Sequence, residues 1–192
     1  MTMRIIAGES KGRRLKGVRR GATRPTMNRV RESMFAILTP YLNDARFLDL
    51  FAGVGSVGLE ALSRGASEAV FVDASRACAA AIRENLALMG PQVSGKVLVR
   101  TWSAALNQLG EQQQRFRIIF ADPPYRDEAV LARVGEKIAE SRLIDDGGWM
   151  IFQHTVRLTL REQFGDDLAR SDQRRFGETV LTFYHLGGSY SG

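Results

Sequence analysis

Cysteine, histidine and long apolar runs are nearly missing from this chain of 192 residues, and each shortage removes a class of explanation. Cys78 is the single cysteine, so neither an intramolecular disulfide nor a cysteine metal cluster is available. It lies in an alanine-rich helical stretch and reads as a small buried residue. His154 and His185 stand far apart without ligand spacing, and no metal is expected. No apolar run approaches the ~20 residues of a membrane span, and no charged-then-apolar leader opens the chain. A cytoplasmic protein without membrane contact is the simplest expectation. Internal repeats and low-complexity segments are also missing. The 44% hydrophobic and 25% charged residues are what one compact domain needs.

Acidic residues are scarce at one end only. Residues 1–31 hold ten basic side chains and one acid, Glu9, a net +9 in a chain of +6. Such an arm on a mildly acidic body suits a polyanion such as nucleic acid, whose phosphates would give salt-sensitive affinity. The alternative is a solvated cationic tail. Two short alternating stretches, at 3–8 and 14–18, can pair as a hairpin around 9–13. Arg4, Lys11, Arg13, Arg14, Arg24, Arg29 and Arg31 are the candidate phosphate contacts. Residues 1–27 are read as the arm and 28–192 as the main domain.

Beyond the arm, strand and helix patterns alternate. Arg24-Pro25-Thr26 is a stop signal, and Asn28 is read as the cap of a helix with Val30, Met34, Phe35 and Leu38 on one face. Strands are predicted at 47–51, 68–73, 96–100, 117–121 and 149–154. Helices are predicted at 56–64, 75–89, 103–110 and 127–140. Alternating stretches follow at 156–161, 170–176 and 179–184, the last two able to pair across Gly177-Glu178. This order predicts an α/β fold with a doubly wound, mainly parallel sheet.

The first strand runs through Asp49 into Phe51-Ala52-Gly53-Val54-Gly55-Ser56-Val57-Gly58, a G-x-G-x-x-G loop between strand and helix. That context fits a nucleotide cofactor without naming it. A carboxylate at Asp49 would repel a pyrophosphate at the helix N-terminus but suits a cofactor carrying an ammonium and a sulfonium, S-adenosylmethionine. Asp73 closes the second strand at the spacing of a ribose-binding acid; its alternative role is a helix cap. The fourth strand, Ile118-Ile119-Phe120-Ala121, leads into Asp122-Pro123-Pro124-Tyr125. Asp122 and the Pro123 carbonyl can each accept an N–H of a planar amine, with backbones preset by the prolines. Tyr125 can stack on the base. The alternative is a proline turn with Asp122 as a helix cap.

Arg4-Ile5-Ile6-Ala7-Gly8, Lys11-Gly12-Arg13, Arg24-Pro25-Thr26, Arg29-Val30-Arg31-Glu32-Ser33-Met34-Phe35, the stretch 48–66, Asp122-Pro123-Pro124-Tyr125 and Phe176-Gly177-Glu178-Thr179 occur in that order. Together they resemble the RsmD-type bacterial methyltransferases, which modify the exocyclic N2 of a guanine in 16S ribosomal RNA. The resemblance implies a seven-stranded Rossmann-like methyltransferase sheet with a C-terminal antiparallel pair. It further implies S-adenosylmethionine held by Asp49, Phe51, Ala52, Gly53, Gly55, Asp73, Ser103 and Ala104, and guanine held by Asp122, Pro123 and Tyr125. The implied substrate is 16S RNA in a small-subunit assembly intermediate, and a monomer is the default. Ser103 stands where relatives often carry Asp, and Gln153 lies near a position where they often carry an acid. Adenine-N6 and glutamine-N5 methyltransferases share related tetrapeptides, and a non-catalytic RNA-binding protein on this fold is the alternative from another class.

Overall fold

A computed structural model of the chain describes residues 3–18, 28–123 and 128–187. Arg19 and Arg20, two of the ten basic residues at 1–31, and the expectations for Arg24-Pro25-Thr26, Pro124 and Tyr125 lie outside those residues. The elements in chain order are α1 (Asn28–Leu38), β1 (Arg46–Leu50), α2 (Ser56–Ser63), β2 (Glu68–Asp73), α3 (Arg76–Met89) and β3 (Gly95–Val99). They continue with α4 (Trp102–Glu111), β4 (Phe116–Ala121), α5 (Glu128–Glu140), β5 (Ile144–Thr155), β6 (Gln163–Phe164), β7 (Leu168–Phe176) and β8 (Thr179–Leu186). A 3-10 turn over Thr39–Tyr41 follows α1.

The strands form one sheet in the order β3-β2-β1-β4-β5-β8-β7-β6. The pairings from β3 to β5 are parallel and those from β5 to β6 antiparallel. Apolar residues alternate between two buried clusters on the two sheet faces. Phe47, Phe71, Ile118 and Phe120 pack with α1, α2 and α3. Leu48, Leu50, Val70, Ile119 and Met150 pack with α4 and α5. Both faces are therefore covered, which is why the central strands read as nearly continuous hydrophobic runs.

The fold is the expected doubly wound one, with three local differences. The sheet has eight strands, because the two-residue β6 adds an edge beside β7. Residues 156–161 form a turn and irregular chain instead of a strand; only Leu160 of that stretch is buried, so the alternation has no sheet to face. Asn28 lies inside the first turn of α1, where its Oδ1 accepts a bond from Arg31 Nη2 at 2.9 Å.

The arm makes a tight antiparallel turn with one bridge, Arg4 to Arg14. Ile5 N–H donates to Arg13 O at 3.0 Å and Leu15 N–H to Met3 O at 2.9 Å. Ile5 and Leu15 join the cluster of Met34, Phe35 and Leu62. Gly8 explains how closely the arm lies on α2. A Cβ there would sit 1.7 Å from the Ser63 carbonyl oxygen, and its φ of +82° is a left-handed value.

Candidate active site

The chain reverses its lateral direction between β1 and β4, which are neighbours although β2 and β3 intervene in sequence. Open α/β sheets place their sites at the carboxyl ends of strands flanking such a point. Asp73 ends β2, Asp49 is the penultimate residue of β1, and Asp122 follows β4. Ser103 and Ala104 open α4 after β3, and Gln153 lies on β5 one register step beyond the Ala121–Phe152 pair. One end of the sheet thus gathers the expected cofactor and amine residues.

Asp49 is buried on the α2 side of the sheet, where its Oδ2 accepts the Gly58 N–H at 2.8 Å. Burial pushes its carboxyl up to about 7; the Gly58 bond pulls it back, and the negative charges of Asp122 and Asp73 push it further up. Gly58 allows this approach because a Cβ would meet the Phe71 ring at 2.4 Å. The third glycine of the loop is therefore a packing requirement between α2 and β2. Phe51, at the start of the loop, holds a φ of +61°, an uncommon value for a bulky side chain. Ala52 N–H donates to Val72 O at 3.0 Å, fixing the loop to β2.

Asp73 braces the same loop. Its Oδ2 accepts the Gly53 N–H and its Oδ1 the Ser75 N–H, both at 2.8 Å. The cap of α3 is Ser75, whose Oγ accepts from Cys78 N–H at 3.3 Å. Each oxygen of Asp73 has accepted one bond, and a carboxylate oxygen has room for another from a hydroxyl. Thr101 Oγ1 takes the Ala104 N–H as the cap of α4 and lies 3.4 Å from the exposed Ser103 hydroxyl.

Asp122 is half-buried, and its N–H reaches Leu50 O at 3.5 Å, tying the ends of β4 and β1. Its Oδ2 accepts a 2.7 Å bond from Gln153 Nε2. Gln153 Oε1 is buried without a hydrogen-bond partner among the described residues. The sequence marked Gln153 only as a departure from relatives; here it holds Asp122 and leaves an acceptor beside it. Its signal was a polar residue ending the apolar run Trp149-Met150-Ile151-Phe152 just opposite Asp122.

Among the expected phosphate contacts, Arg4, Lys11, Arg13, Arg14 and Arg29 are exposed. Arg31 is a correction: it is fully buried and cannot meet a phosphate. Its guanidinium donates to Ser56 O, Arg4 O and Asn28 Oδ1 at 3.2, 2.8 and 2.9 Å. Burial lowers its pKa from the ordinary guanidinium value, and the Glu60 carboxylate opposes that shift. The spacing held the signal, since Arg31, Met34, Phe35 and Leu38 form an i, i+3, i+4, i+7 series on the buried face.

Strand order, glycine loop and strand-end carboxylates define an α/β methyltransferase fold. The chain belongs to the family described as "Conserved hypothetical protein 95", the RsmD-type family, whose model matches residues 3–185. It is 35% identical over 186 residues to "Putative rRNA methyltransferase YlbH" of Bacillus subtilis, covering 97% of this chain and 100% of that one. It is 36% identical over 148 residues to "Ribosomal RNA small subunit methyltransferase D" of Escherichia coli K12, covering 77% and 69%. Among solved structures, "Putative methyltransferase yhhF" from Escherichia coli superposes with a TM-score of 0.84 at 28% identity, covering 98% and 100%.

Proposed function

We propose that this protein transfers the methyl group of S-adenosylmethionine to the exocyclic N2 of a guanine in 16S ribosomal RNA. The observation that carries the proposal is Asp122, held by Gln153 beside two further strand-end carboxylates, Asp49 and Asp73. The small-subunit methyltransferase name of the Escherichia coli relative supports the substrate.

The donor set fits the cofactor. A buried carboxyl raised to about 7, with two like charges acting on it, favours a cationic ligand that restores its ionised form. Asp73 would accept ribose hydroxyls, the loop from Phe51 to Gly55 would line the aminoacyl part, and Ser103 would meet the adenine edge. The cofactor would supply an electrophilic methyl on a sulfonium.

The remaining work falls to this chain. Guanine N2 is a poor nucleophile because its lone pair is delocalised into the ring. Asp122 and the Pro123 carbonyl would accept its N–H bonds and turn the amine toward the methyl, an orientation effect worth ~7–11 kcal/mol in well-aligned systems. As the N–C bond forms and the S–CH3 bond breaks, the released N–H proton would pass to Asp122. Tyr125 would stack on a base drawn out of the RNA. The exposed arginines of the arm would hold phosphates. We place this chemistry in the cytoplasm, on a small-subunit assembly intermediate, with the protein as a monomer.

The test is transfer of labelled methyl to 16S RNA, naked and in small-subunit particles, with nucleoside analysis. N2-methylguanosine is expected, lost in Asp122→Ala while RNA binding persists. Methyladenosine would replace guanine with adenine as the target, and RNA binding without transfer to either substrate would favour a non-catalytic role.

A further inference from the structure

The arm and the cofactor loop are gripped by the same two buried side chains. Arg31 donates through Nη2 to Arg4 O, in the first half of the arm, and through Nη1 to Ser56 O, immediately after Gly55. Asn85, on α3, is also fully buried. Its Oδ1 accepts Lys16 N–H at 2.8 Å and its Nδ2 donates to Lys16 O at 3.1 Å, in the second half of the arm. The same Nδ2 donates to Val54 O at 3.1 Å, immediately before Gly55. Gly55 therefore lies between two carbonyls, each tied to one half of the arm through one side chain.

Neither grip is a side effect of apolar packing. A fully buried guanidinium is costly unless bonded, and Arg31 directs two of its bonds to backbone oxygens of different segments. Asn85 uses both ends of its amide, with Cys78, Ala81 and Ile82 on the same helical face. Glu60 adds a third fastening: its carboxylate accepts Ile6 N–H at 2.8 Å and Ala7 N–H at 3.0 Å from the helix that the loop opens. Displacing the arm would leave the side chains that also hold the loop, Arg31 and Asn85, without their arm partners, and Glu60 without its two arm amides.

We propose that Arg31 and Asn85 are positioning residues that couple the arm to the cofactor loop, so that RNA on the arm and S-adenosylmethionine in the loop bind with positive cooperativity. This rests on the proposed methyl transfer to RNA. Ordering either segment orders the other, so the ligand that binds second meets a site already set. The linkage is reciprocal: RNA raises cofactor affinity by the factor by which cofactor raises RNA affinity, typically ~5–150-fold.

The experiment titrates S-adenosylhomocysteine calorimetrically into the full chain, alone and saturated with small-subunit particles. Hydrogen exchange of the unmodified protein with and without S-adenosylhomocysteine accompanies it. At least ~5-fold tighter binding in the presence of RNA is expected, together with slower exchange at Ile6, Ala7 and Lys16. Asn85→Ala should bring the factor toward one. The exchange measurement decides the matter if that variant does not fold. Binding that is unaffected by RNA, protection confined to the loop and β1–β2 ends, or a wild-type factor in a folded Asn85→Ala protein would each overturn the coupling alone. Failure to bind S-adenosylhomocysteine at all would overturn the methyl-transfer proposal and the coupling with it.

Discussion

The two ends of the chain are attached to the sheet in opposite ways. The C-terminal strands enter it through a backbone ladder, with β8 paired from Thr179 to His185 against β5 and along its whole length against β7. Among its described residues the arm has one bridge of its own and one backbone bond to α2, Glu9 N–H to Ser63 O at 2.8 Å; its other fastenings are to side chains: Glu60, Ser63, Asn85 and Arg31. A ladder tolerates most side chains that keep the alternation. Side-chain fastening depends on individual residues, so single substitutions should release the arm and leave the hairpin in place.

Glu60→Ala should have the largest effect. Glu60 is fully buried, accepts two arm amides and pairs with Arg64 Nε at 2.8 Å. Its removal strands those donors, takes the Arg64 partner away and removes the larger of the two carboxylate charges acting on Arg31, a class of change that costs ~3–5 kcal/mol. Denaturant unfolding should show that loss, and limited proteolysis should cut within the arm before any other site. Equal stability would mean that Ser63, Asn85, Arg31 and the packing of Ile5 and Leu15 hold the arm without Glu60.

Asp49 is the contrasting buried acid: one amide donor, two like charges and a carboxyl raised to about 7. A raised carboxyl binds a proton more readily in the folded chain than in the unfolded one. The contribution of Asp49 to the stability of the cofactor-free protein should therefore fall as pH rises from the ordinary value of 3.8 to about 7, then level off. Asp49→Asn keeps an acceptor for Gly58 N–H and should flatten that slope, being the more stable protein at pH 8 and no more stable at pH 4. Thermal melts across this range check it. Cofactor affinity should weaken below about pH 7 in the unmodified protein as Asp49 takes up its proton, and lose that pH dependence in the variant.

The hairpin should respond less. Thr182 Oγ1 is shared by His154 Nε2 at 2.7 Å and Gln173 Nε2 at 3.0 Å, one buried polar knot inside the β5–β8–β7 ladder. Burial lowers the His154 pKa, so the ring is neutral at physiological pH. With Nδ1 donating to Thr155 O at 2.9 Å, Nε2 accepts from the Thr182 hydroxyl. Thr182→Val keeps shape and strand preference and should cost ~1–3 kcal/mol, the range for a buried group left unpaired. Proteolysis of the arm should not change.

The same division decides what could be read from the sequence. Apolar runs and glycine spacing located β1, β2, β4 and α2 within a residue or two, because parallel strands buried on both faces leave little choice of residue. The glycine loop and Asp122 were legible because they lie where those runs end. Arg31, Glu60 and Asn85 were not, since their partners are backbone atoms of segments 25 to 69 residues away. Each nevertheless leaves a trace as a polar residue on an otherwise apolar helical face, Glu60 most clearly, in an α2 whose eight residues are all buried. The alternation at 156–161 misled because period alone does not say whether a sheet edge is near.

Lys16 separates the two kinds of fastening within one residue. Its backbone is clamped by buried Asn85, while its ammonium meets Glu84 at 2.6 Å with both side chains more than half exposed. An exposed pair of this kind contributes ~0–1 kcal/mol, so Glu84→Gln should leave the melting temperature nearly unchanged and the arm docked. The variant should instead act on RNA. With its carboxylate partner gone, the Lys16 ammonium is available to a phosphate, and one added phosphate contact steepens the salt dependence of binding by ~0.7–0.9 in log–log slope. Binding to small-subunit particles measured at several salt concentrations would therefore show tighter association at low salt and convergence with the unmodified protein at high salt. An unchanged slope would place Lys16 outside the RNA footprint and confine the arm's contacts to the arginines and Lys11 of its turn.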